Sequence, residues 1–256
     1  MSELVSMQKV LDRMENLGLG LMAANFESYI SDQSQQDKPL INAISDLLDL
    51  EYFPRKERMI KTRLKVSGMP QVKRLEDYDL SWLKGGLTQK KFKELSALSF
   101  VERKENVVLM GPSGTGKTHL MLALGYHSCV NGYMTYHMSC TDLVESLGRA
   151  KKTGNLKRKL KWFQKPHVLL IDEVGYDNLT PDQANLFFQL VNTRYEKGAI
   201  VMTTNKSFGQ WGELMNDDAI ATATLDRLLH HCHLISLKGN SYRMKERIKV
   251  GQINFE

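Results

Sequence analysis

The chain has 256 residues, of which 42% are hydrophobic and 25% charged, and its 35 Lys and Arg exceed its 29 Asp and Glu to leave a formal charge of +6. A chain of this length and composition can bury one large core or two modest ones, which excludes disorder throughout. The sequence pI near 9.1 is compatible with a polyanionic partner but does not identify one.

The chain contains no apolar run close to the roughly 20 residues of a membrane span, and its N-terminus, MSELVSMQKVLDRMENL, carries charges where a signal peptide would be apolar. The three cysteines, Cys129, Cys140 and Cys232, have no metal-ligand spacing and are odd in number, which is typical of buried thiols in a reducing compartment. We therefore expect a cytoplasmic protein with no membrane partner.

Residues 1–100 are predicted to be helical, because apolar residues recur at helical spacing and no strand pattern interrupts them. The polar stretch at 31–39 separates the first two predicted helices, and Pro54 is predicted to start a third. One more helix is predicted at 88–99. We assign residues 1–100 to an N-terminal helical domain that provides DNA or oligomer contacts.

From residue 106 short apolar runs alternate with helical segments. The runs are VVLM at 107–110, YMTYHM at 133–138, VLLI at 168–171, AIVMTT at 199–204 and HLISL at 233–237. This alternation is typical of an α/β domain with a parallel sheet. We assign residues 101–256 to that domain.

The first of these runs is followed directly by GPSGTGKT, which matches the phosphate-binding pattern G-x-x-x-x-G-K-[ST] and precedes a helical segment. Glycines let backbone N–H groups wrap a phosphate, and the positive end of the next helix points at the same charge. Lys117 is predicted to reach the β- and γ-phosphates of ATP, and Thr118 to ligate Mg²⁺. The predicted nucleotide-binding residues are Gly111, Pro112, Ser113, Gly114, Thr115, Gly116, Lys117, Thr118 and His119.

Two acidic residues follow the run VLLI, at the strand end where ligands bind in open parallel sheets. Asp172 is predicted to hold Mg²⁺, and Glu173, pointing the opposite way along a strand, to orient and deprotonate an attacking water. Two such acids can also be solvated loop residues, but beside a phosphate-binding loop they favour hydrolysis over transfer to an acceptor. Asn205, after the run AIVMTT, is a candidate to align the water, although an Asn after a strand is more often a turn residue.

Two arginines near the C-terminus are candidates to neutralise the transferred phosphate. Arg227 lies on a predicted helix and Arg243 follows the last predicted strand. Spacing alone does not separate Arg227 from a surface salt-bridge residue. The run HHCH at 230–233 suggests a metal site, but consecutive residues rarely converge on one ion without a partner at i+3 or i+4, so metal binding is not favoured there.

Two clusters of basic residues are nearly free of acidic residues. Cationic helix faces of this kind suit salt-dependent contacts with DNA phosphates, although each can equally be a solvated surface. The first cluster, opposed only by Glu57, comprises Arg55, Lys56, Arg58, Lys61, Arg63 and Lys65. The second, which contains no acidic residue, comprises Lys151, Lys152, Lys157, Arg158, Lys159 and Lys161.

These motifs closely resemble those of the IstB-like ATP-binding helpers of insertion-sequence transposition, relatives of the DnaC-type replicative helicase loaders within the AAA+ ATPases. The resemblance extends over nearly the whole chain. It is carried by ENVVLMGPSGTGKTHL, LLIDEVGYDNLTPDQANLFFQLVNTRYEKGAIVMTTNKSFGQWGEL, ATLDRLLHHCHLI, KGNSYRMKER and YFPRKERMIKTRLK.

The resemblance implies a AAA+ P-loop core whose parallel sheet has the strand order 5-1-4-3-2, preceded by a small all-helical N-terminal domain. It implies no C-terminal lid, since only about 20 residues follow residue 237. It also implies Asp172 as the Walker B residue, Glu173 as the catalytic residue and Asn205 as a sensor. Arg227 would reach the γ-phosphate of a neighbouring subunit, and Arg243 would be a second phosphate sensor.

The function implied is an oligomeric ATPase that assembles on duplex target DNA in an ATP-dependent manner and recruits or stimulates the transposase of the same element. Such a protein would be bacterial, cytoplasmic and associated with the nucleoid. The alternative is a DnaC-like loader that acts on a replicative helicase and single-stranded DNA. A small-molecule P-loop kinase is more remote, because Glu173 and the basic clusters argue against it.

Overall fold

The computed structural model describes residues 2–33, 39–82 and 85–239. The chain divides into two compact units, Met1–Thr62 and Arg63–Glu256. The sequence places a boundary near residue 100, whereas residues such as Leu95 and Phe100 are buried in the same hydrophobic cluster as the first strand of the second unit. The helices at 89–102 therefore pack with the α/β half of the chain.

The first unit is helical. Helix α1 spans Ser2–Asn16, α2 spans Gly20–Gln33, and α3 begins in this unit and spans Leu40–Ser67. The prediction that Pro54 starts a helix is wrong, because Pro54 lies inside α3. A proline inside a helix removes one hydrogen bond, but the segments on both sides are rich in helix-forming residues, so the helix continues.

The interior of the first unit centres on Met14, Leu47 and the buried carboxylate of Glu51. Glu51 accepts hydrogen bonds from the backbone N–H of Leu21, at 3.0 Å, and from Nε of Arg55, at 2.7 Å. The bond from Arg55 lowers the pKa of Glu51. A buried charge is thus paired within the unit.

The second unit alternates helices and strands. Its helices are α4 (Gln89–Ser96), α5 (Ser99–Glu102), α6 (Lys117–Val130), α7 (Cys140–Lys152), α8 (Leu156–Phe163), α9 (Pro181–Arg194), α10 (Trp211–Met215) and α11 (Asp218–Leu229), with short 3₁₀ turns at Leu80–Trp82 and Phe208–Gln210. Its strands are β1 (Asn106–Met110), β2 (Thr135–Ser139), β3 (Val168–Val174), β4 (Ala199–Thr204) and β5 (Cys232–Ser236). None of the described helices is long and apolar enough to cross a bilayer.

The five strands form one sheet in the order β2-β3-β4-β1-β5, and every neighbouring pair is parallel. The predicted strands and their order 5-1-4-3-2 are therefore confirmed. No helical lid follows β5 in the described residues 237–239, while residues 240–256 lie outside the described part.

Helices cover both faces of the sheet. Leu169 and Ile171 of β3 pack on one face with the cluster formed by α7 to α11, while Val168 and Leu170 pack on the other face with α4 to α6. All six residues of β4 are buried, as expected for a central parallel strand. The predicted continuous apolar runs arise from this burial on both faces.

At the amino-terminal edge of the sheet, polar side chains bond the backbone. Arg194 is 1% exposed and donates to the carbonyl oxygens of Phe163, Pro166, His167 and Ala199 at 2.6 to 3.3 Å. Burial lowers the pKa of Arg194 to about 10. The Asn106 amide donates to the Leu228 carbonyl at 3.0 Å and accepts from the Ile200 N–H at 2.9 Å.

Candidate nucleotide-binding site

The loop between β1 and α6 has the backbone conformation that only glycine supplies. Gly111 and Gly116 have φ values of 152° and 89°. A Cβ on Gly111 would collide with the Leu237 carbonyl oxygen, and one on Gly116 would lie 3.1 Å from the Tyr78 hydroxyl. The glycines are therefore required both by backbone angle and by close approach of other segments.

Lys117 begins α6 and turns back into this loop. Its Nζ donates to the carbonyl oxygens of Gly111 and Pro112, at 2.7 Å each. The ammonium thus lies inside the loop, beside the N-terminus of α6. A loop that presents backbone N–H groups, a lysine and a helix N-terminus to one space is suited to bind phosphate.

The acidic pair at the end of β3 contacts the phosphate-binding motif through Asp172. Its Oδ1 accepts from Thr118 Oγ1 at 3.1 Å, from the Glu173 N–H at 3.1 Å and from Thr203 Oγ1. Two strands, β3 and β4, and the last residue of the phosphate-binding motif therefore contribute to one polar cluster, because β4 lies between β3 and the strand that precedes the loop. The oxygen atoms of Thr118 and Asp172 are hard ligands at a spacing that fits Mg²⁺.

Glu173 lies at an irregularity of β3. The pairing of β3 with β4 shifts register between Ile171 and Val174, and Glu173 has φ of 60°. Its N–H also donates to Thr203 Oγ1 at 2.9 Å. A left-handed non-glycine residue costs about 1–3 kcal/mol and occurs preferentially at functional sites. The orientation of the exposed Glu173 carboxylate is therefore set by this bulge. The sequence had predicted it from the alternation of side chains along a regular strand.

Lys117, Thr118, Glu173 and Thr203 line one cavity of about 780 Å³. This volume lies within the range of small-molecule sites. The cavity wall comprises Gln71, Lys73, Asp77, Tyr78, Asp79, Ser113, Gly114, Thr115, Gly116, Lys117, Thr118, His119, Glu173, Tyr176, Thr203, Thr204 and Asn205. Asn205 is thus in the same cavity as Glu173, although its role as a sensor stays a prediction.

Tyr78 and His119 meet at one side of this cavity. Their rings are 5.4 Å apart, edge to face, and neither the Tyr78 hydroxyl nor His119 Nε2 has a partner among the described residues. Burial raises the pKa of Tyr78, and burial followed by the charge of Lys73 lowers the pKa of His119. Both side chains are therefore neutral near pH 7 and offer polar atoms beside the loop.

Two groups of lining residues were missed by the sequence reading. The Thr203 hydroxyl bonds both the Asp172 carboxylate and the Glu173 N–H. The sequence indicated it through its position at the end of the apolar run, just before Thr204 and Asn205. Residues 71–79 had no such signal, since they show neither helical nor strand periodicity. They reach the cavity only through the tertiary path of the chain.

Arg227 lies on α11 and is not among the described residues that line this cavity. Its Nε donates to Asn192 Oδ1 at 2.9 Å, its Nη1 donates to the Ala223 carbonyl at 3.0 Å, and its guanidinium lies 5.0 Å from the centre of the Phe188 ring. The side chain is therefore held against α9 of its own chain. Arg243, the second predicted phosphate sensor, lies outside the described residues.

The basic cluster on α3 is partly neutralised. Arg55 pairs with Glu51, and Lys61 pairs with Glu57 at 2.8 Å. Lys56 lies 5.5 Å from the centre of the Tyr52 ring, and Arg58 Nε donates to the Pro54 carbonyl at 3.3 Å. Arg63 belongs to the second unit, so this predicted cluster spans both units.

The basic cluster on α7 and α8 is less neutralised. Lys151 pairs with Asp182 at 3.2 Å, an acid that sequence proximity did not reveal. Lys159 lies 5.1 Å from the centre of the Trp162 ring, on the wall of a second cavity of about 440 Å³ that Arg149 and Arg158 also line. The other members, Lys152, Lys157, Arg158 and Lys161, are exposed.

The fold and this site define the class of protein. A parallel sheet of order β2-β3-β4-β1-β5, a phosphate-binding loop after β1 and an acid on β3 bonded to the loop threonine are the features of a AAA+ P-loop domain.

The chain belongs to the IstB-like ATP binding protein family, whose model matches residues 12–250. It is 39% identical over 240 residues to the ATP-binding protein of insertion sequence IS5376 from Geobacillus stearothermophilus, covering 94% of this chain and 95% of the relative. It is also 39% identical over 238 residues to the corresponding protein of IS21 from Pseudomonas aeruginosa, covering 93% and 89%.

Solved structures resemble the fold. The DnaC helicase loader aligns with a TM-score of 0.53 and 20% identity, covering 64% of this chain and 96% of that chain. AMPPCP-bound DnaA from Aquifex aeolicus aligns with a TM-score of 0.52 and 22% identity, covering 72% and 56%. At these identities the similarity concerns the fold alone.

Proposed function

We propose that this protein is an ATPase that assembles on duplex DNA in its ATP-bound form and recruits or stimulates the transposase of the same insertion sequence. The observation that carries the ATPase part is the hydrogen bond between Thr118 and Asp172, at 3.1 Å, beside the cavity that Thr118, Glu173 and Asn205 line. Membership of the IstB-like family, whose relatives belong to insertion sequences, supports the transposition part.

The proposed reaction is attack of a water oxygen on the γ-phosphorus of ATP, with cleavage of the bond to the β,γ-bridging oxygen and release of ADP. Glu173 accepts the proton of the water, Asn205 orients the water, and Lys117 binds the β- and γ-phosphate oxygens. Thr118 and Asp172 would hold Mg²⁺, which when bound offsets the phosphate charge.

Arg227 completes the proposed site from a neighbouring copy. The proposed action on another chain is supported by the position of its guanidinium, which contacts Phe188 and Asn192 and is not among the described residues that line the cavity of its own chain. Such an arginine stabilises the charge that develops during phosphoryl transfer. Hydrolysis would then depend on assembly.

The exposed residues of α7 and α8 are the favoured DNA contacts. Lys152, Lys157, Arg158 and Lys161 lie on adjacent helices, and the charged partner found for this cluster is Asp182. Phosphate contacts of this type give sequence-tolerant affinity that falls with salt. Arg55 and Lys61 are weaker candidates, because each is paired with a carboxylate.

The direct test of assembly is electron microscopy of the purified protein with duplex DNA in ATP or in ADP. ATP is expected to produce ordered assemblies on the DNA, and Glu173→Gln is expected to retain them because hydrolysis no longer resets the complex. Equal behaviour in ATP and ADP would contradict the proposal. Preference for single-stranded DNA together with a stable complex with a replicative helicase would favour the helicase-loader alternative.

The role of Arg227 in trans is tested by mixing two inactive variants. Lys117→Ala lacks a functional cavity but carries Arg227, while Arg227→Ala has the cavity but lacks the arginine. The mixture is expected to regain ATPase activity well above the sum of the two, since one variant completes the site of the other. Arg227→Ala alone should still bind ATP, and Arg103→Ala, an exposed arginine at the end of α5, is the matched control. No recovery on mixing would place Arg227 outside the shared site.

The DNA contact is tested by charge reversal. Lys157→Glu with Arg158→Glu should weaken duplex binding at least about tenfold and reduce its salt dependence by about two charges. The control, Lys90→Glu with Lys91→Glu, changes two exposed lysines on α4 by the same amount of charge. Equal losses in the two pairs would indicate a nonspecific effect of net charge.

A further inference from the structure

Three metal-ligating side chains meet at a place remote from the nucleotide cavity. Glu196, His230 and His231 each offer one ligand atom, and these atoms all lie within 4.8 Å of one another. Glu196 lies between α9 and β4, and the two histidines lie between α11 and β5. The group therefore lies at the amino-terminal edge of the parallel sheet, whereas the nucleotide cavity lies at the carboxyl edge.

The sequence run HHCH is divided by the fold. Cys232 and His233 belong to β5, and His233 Nε2 lies 2.8 Å from Glu105 Oε2. His231 instead faces Glu196, with Nε2 3.8 Å from Oε1. The third ligand that the run lacks is thus supplied by a residue 34 positions earlier, which no spacing rule could reveal.

The neighbours of these side chains orient them for coordination. The Tyr195 hydroxyl is 2.8 Å from His230 Nδ1, and the rings of His230 and His231 are 4.1 Å apart. When one imidazole nitrogen donates its N–H to a group outside the site, the other nitrogen keeps its lone pair for a metal. In the tautomer in which His230 Nδ1 donates to the Tyr195 hydroxyl, Nε2 of His230 keeps its lone pair for the ion.

We propose that Glu196, His230 and His231 bind one divalent transition-metal ion, with zinc or nickel as the preferred ions. Two imidazoles and one carboxylate suit these ions better than Mg²⁺ or Ca²⁺, which prefer oxygen ligands alone. Bonds of about 2.1 Å place tetrahedral ligand atoms about 3.4 Å apart. All three side chains are exposed, so small rotamer changes bring the atoms from their present spacing to that distance and water completes the shell.

The ion would join two segments that pack against each other. Glu196 follows α9, which carries Asn192 and Phe188, and His230 follows α11, which carries Arg227. An ion that binds the folded chain and bridges these helix ends stabilises that state by mass action. Metal binding is therefore expected to raise Tm independently of nucleotide.

The test uses the full chain without a histidine tag, titrated with Zn²⁺ by calorimetry and with Co²⁺ by visible absorption. We expect one tight ion per chain, and a rise in Tm of about 3 °C at a Zn²⁺ concentration about ten times Kd. His231→Ala and Glu196→Ala should each weaken binding at least about tenfold and abolish the rise in Tm. His233→Gln, in the same run but facing Glu105, should bind Zn²⁺ as the unchanged protein does.

ATP binding by each variant checks that the fold is intact, because the nucleotide cavity is at the other edge of the sheet. Zn²⁺ binding that is unchanged in His231→Ala and Glu196→Ala would overturn the site, as would the absence of a tight ion in the unchanged protein. Loss of binding only in His233→Gln would place the ion with Glu105 and refute the proposal as well.

Discussion

The two edges of the parallel sheet use polar side chains in different ways. At the carboxyl edge, Thr118, Asp172 and Thr203 bond one another beside an open cavity. At the amino edge, Arg194 and Asn106 bond backbone groups and are largely removed from solvent. Both sets of side chains are polar, but Thr118 and Thr203 line a cavity that a ligand can occupy, whereas Arg194 and Asn106 are bonded to backbone groups.

The side chains beside the cavity are therefore candidates for chemistry, whereas Arg194 and Asn106 stabilise the fold. A polar side chain that satisfies backbone carbonyls cannot be removed without leaving them unpaired, which costs stability. A polar side chain that faces a cavity can be removed with little structural cost, because water replaces its contacts. Substitutions of side chains that face the cavity should therefore lower activity more than stability. Substitutions of side chains that bond backbone carbonyls should lower stability more than activity.

The largest expected effect is at the carboxyl edge. Lys117→Ala should lower ATP hydrolysis at least about 100-fold, because the ammonium that compensates phosphate charge is lost. Tm should change little, since the Lys117 ammonium lines an open cavity and bonds carbonyl oxygens of the adjoining loop. Steady-state ATPase assays and thermal unfolding measure the two effects, with Lys90→Ala on α4 as control. A large drop in Tm would show that Lys117 is structural.

The next effect is at the amino edge. Arg194→Met should lower the free energy of unfolding by about 3–5 kcal/mol, because the change removes the donors of four hydrogen bonds to backbone carbonyl groups, three of which are buried. Urea unfolding followed by circular dichroism measures it. Arg149→Met, at an arginine that is 72% exposed, should change stability by less than about 0.5 kcal/mol. Similar losses in both variants would refute the structural role of Arg194.

A smaller effect compares two buried threonines. Thr203→Val at the carboxyl end of β4 removes the hydroxyl that bonds Asp172 and the Glu173 N–H, so hydrolysis should fall about tenfold as the bulge loosens. Thr135→Val at the amino end of β2 should leave hydrolysis unchanged, because its hydroxyl contacts the Tyr133 carbonyl, at 3.5 Å, and the Cys129 thiol, neither of which lines the nucleotide cavity. The ratio of the two kcat values is the measurement. A ratio near one would mean that Thr203 does not position the acids.

The smallest effect is a pH dependence within β2. Burial lowers the pKa of His137, whose Nε2 has no hydrogen-bond partner in the described part of the chain. The unfolded chain takes up a proton near pH 6.5 while the folded chain resists it, so this stability is present above about pH 6.5 and is lost as pH falls toward the lowered pKa.

Thermal unfolding between pH 7.5 and 5.5 tests this sign. Tm of the unchanged protein should fall by about 2 °C more than Tm of His137→Gln, which has no titrating group at that position. His167→Gln is the control, because it replaces an exposed histidine and therefore removes no buried imidazole. A steeper fall in His137→Gln would reverse the expected sign.

Much of the fold and of the nucleotide cavity follows from local patterns. The strands after residue 106 are visible as apolar runs because both faces of the sheet are covered, and the phosphate-binding loop is eight consecutive residues with a required conformation. Asp172 and Glu173 are visible because they follow one of those runs. The prediction that Pro54 starts a helix was wrong because a local rule for proline does not consider the helix-forming residues on both sides of it.

The sequence by itself therefore determined the class of protein, its strand order through family resemblance, and the ATP-site motifs, because each depends on residues close together in the chain. Only the tertiary structure decided that Thr203 bonds both Asp172 and Glu173, and that several of residues 71–79 line the cavity. It also decided that Arg194 bonds buried backbone carbonyls, whereas Arg227 bonds Asn192 at the surface. These contacts join segments that are distant in sequence. Their energies depend on burial and on exact neighbours, which no periodicity or spacing encodes.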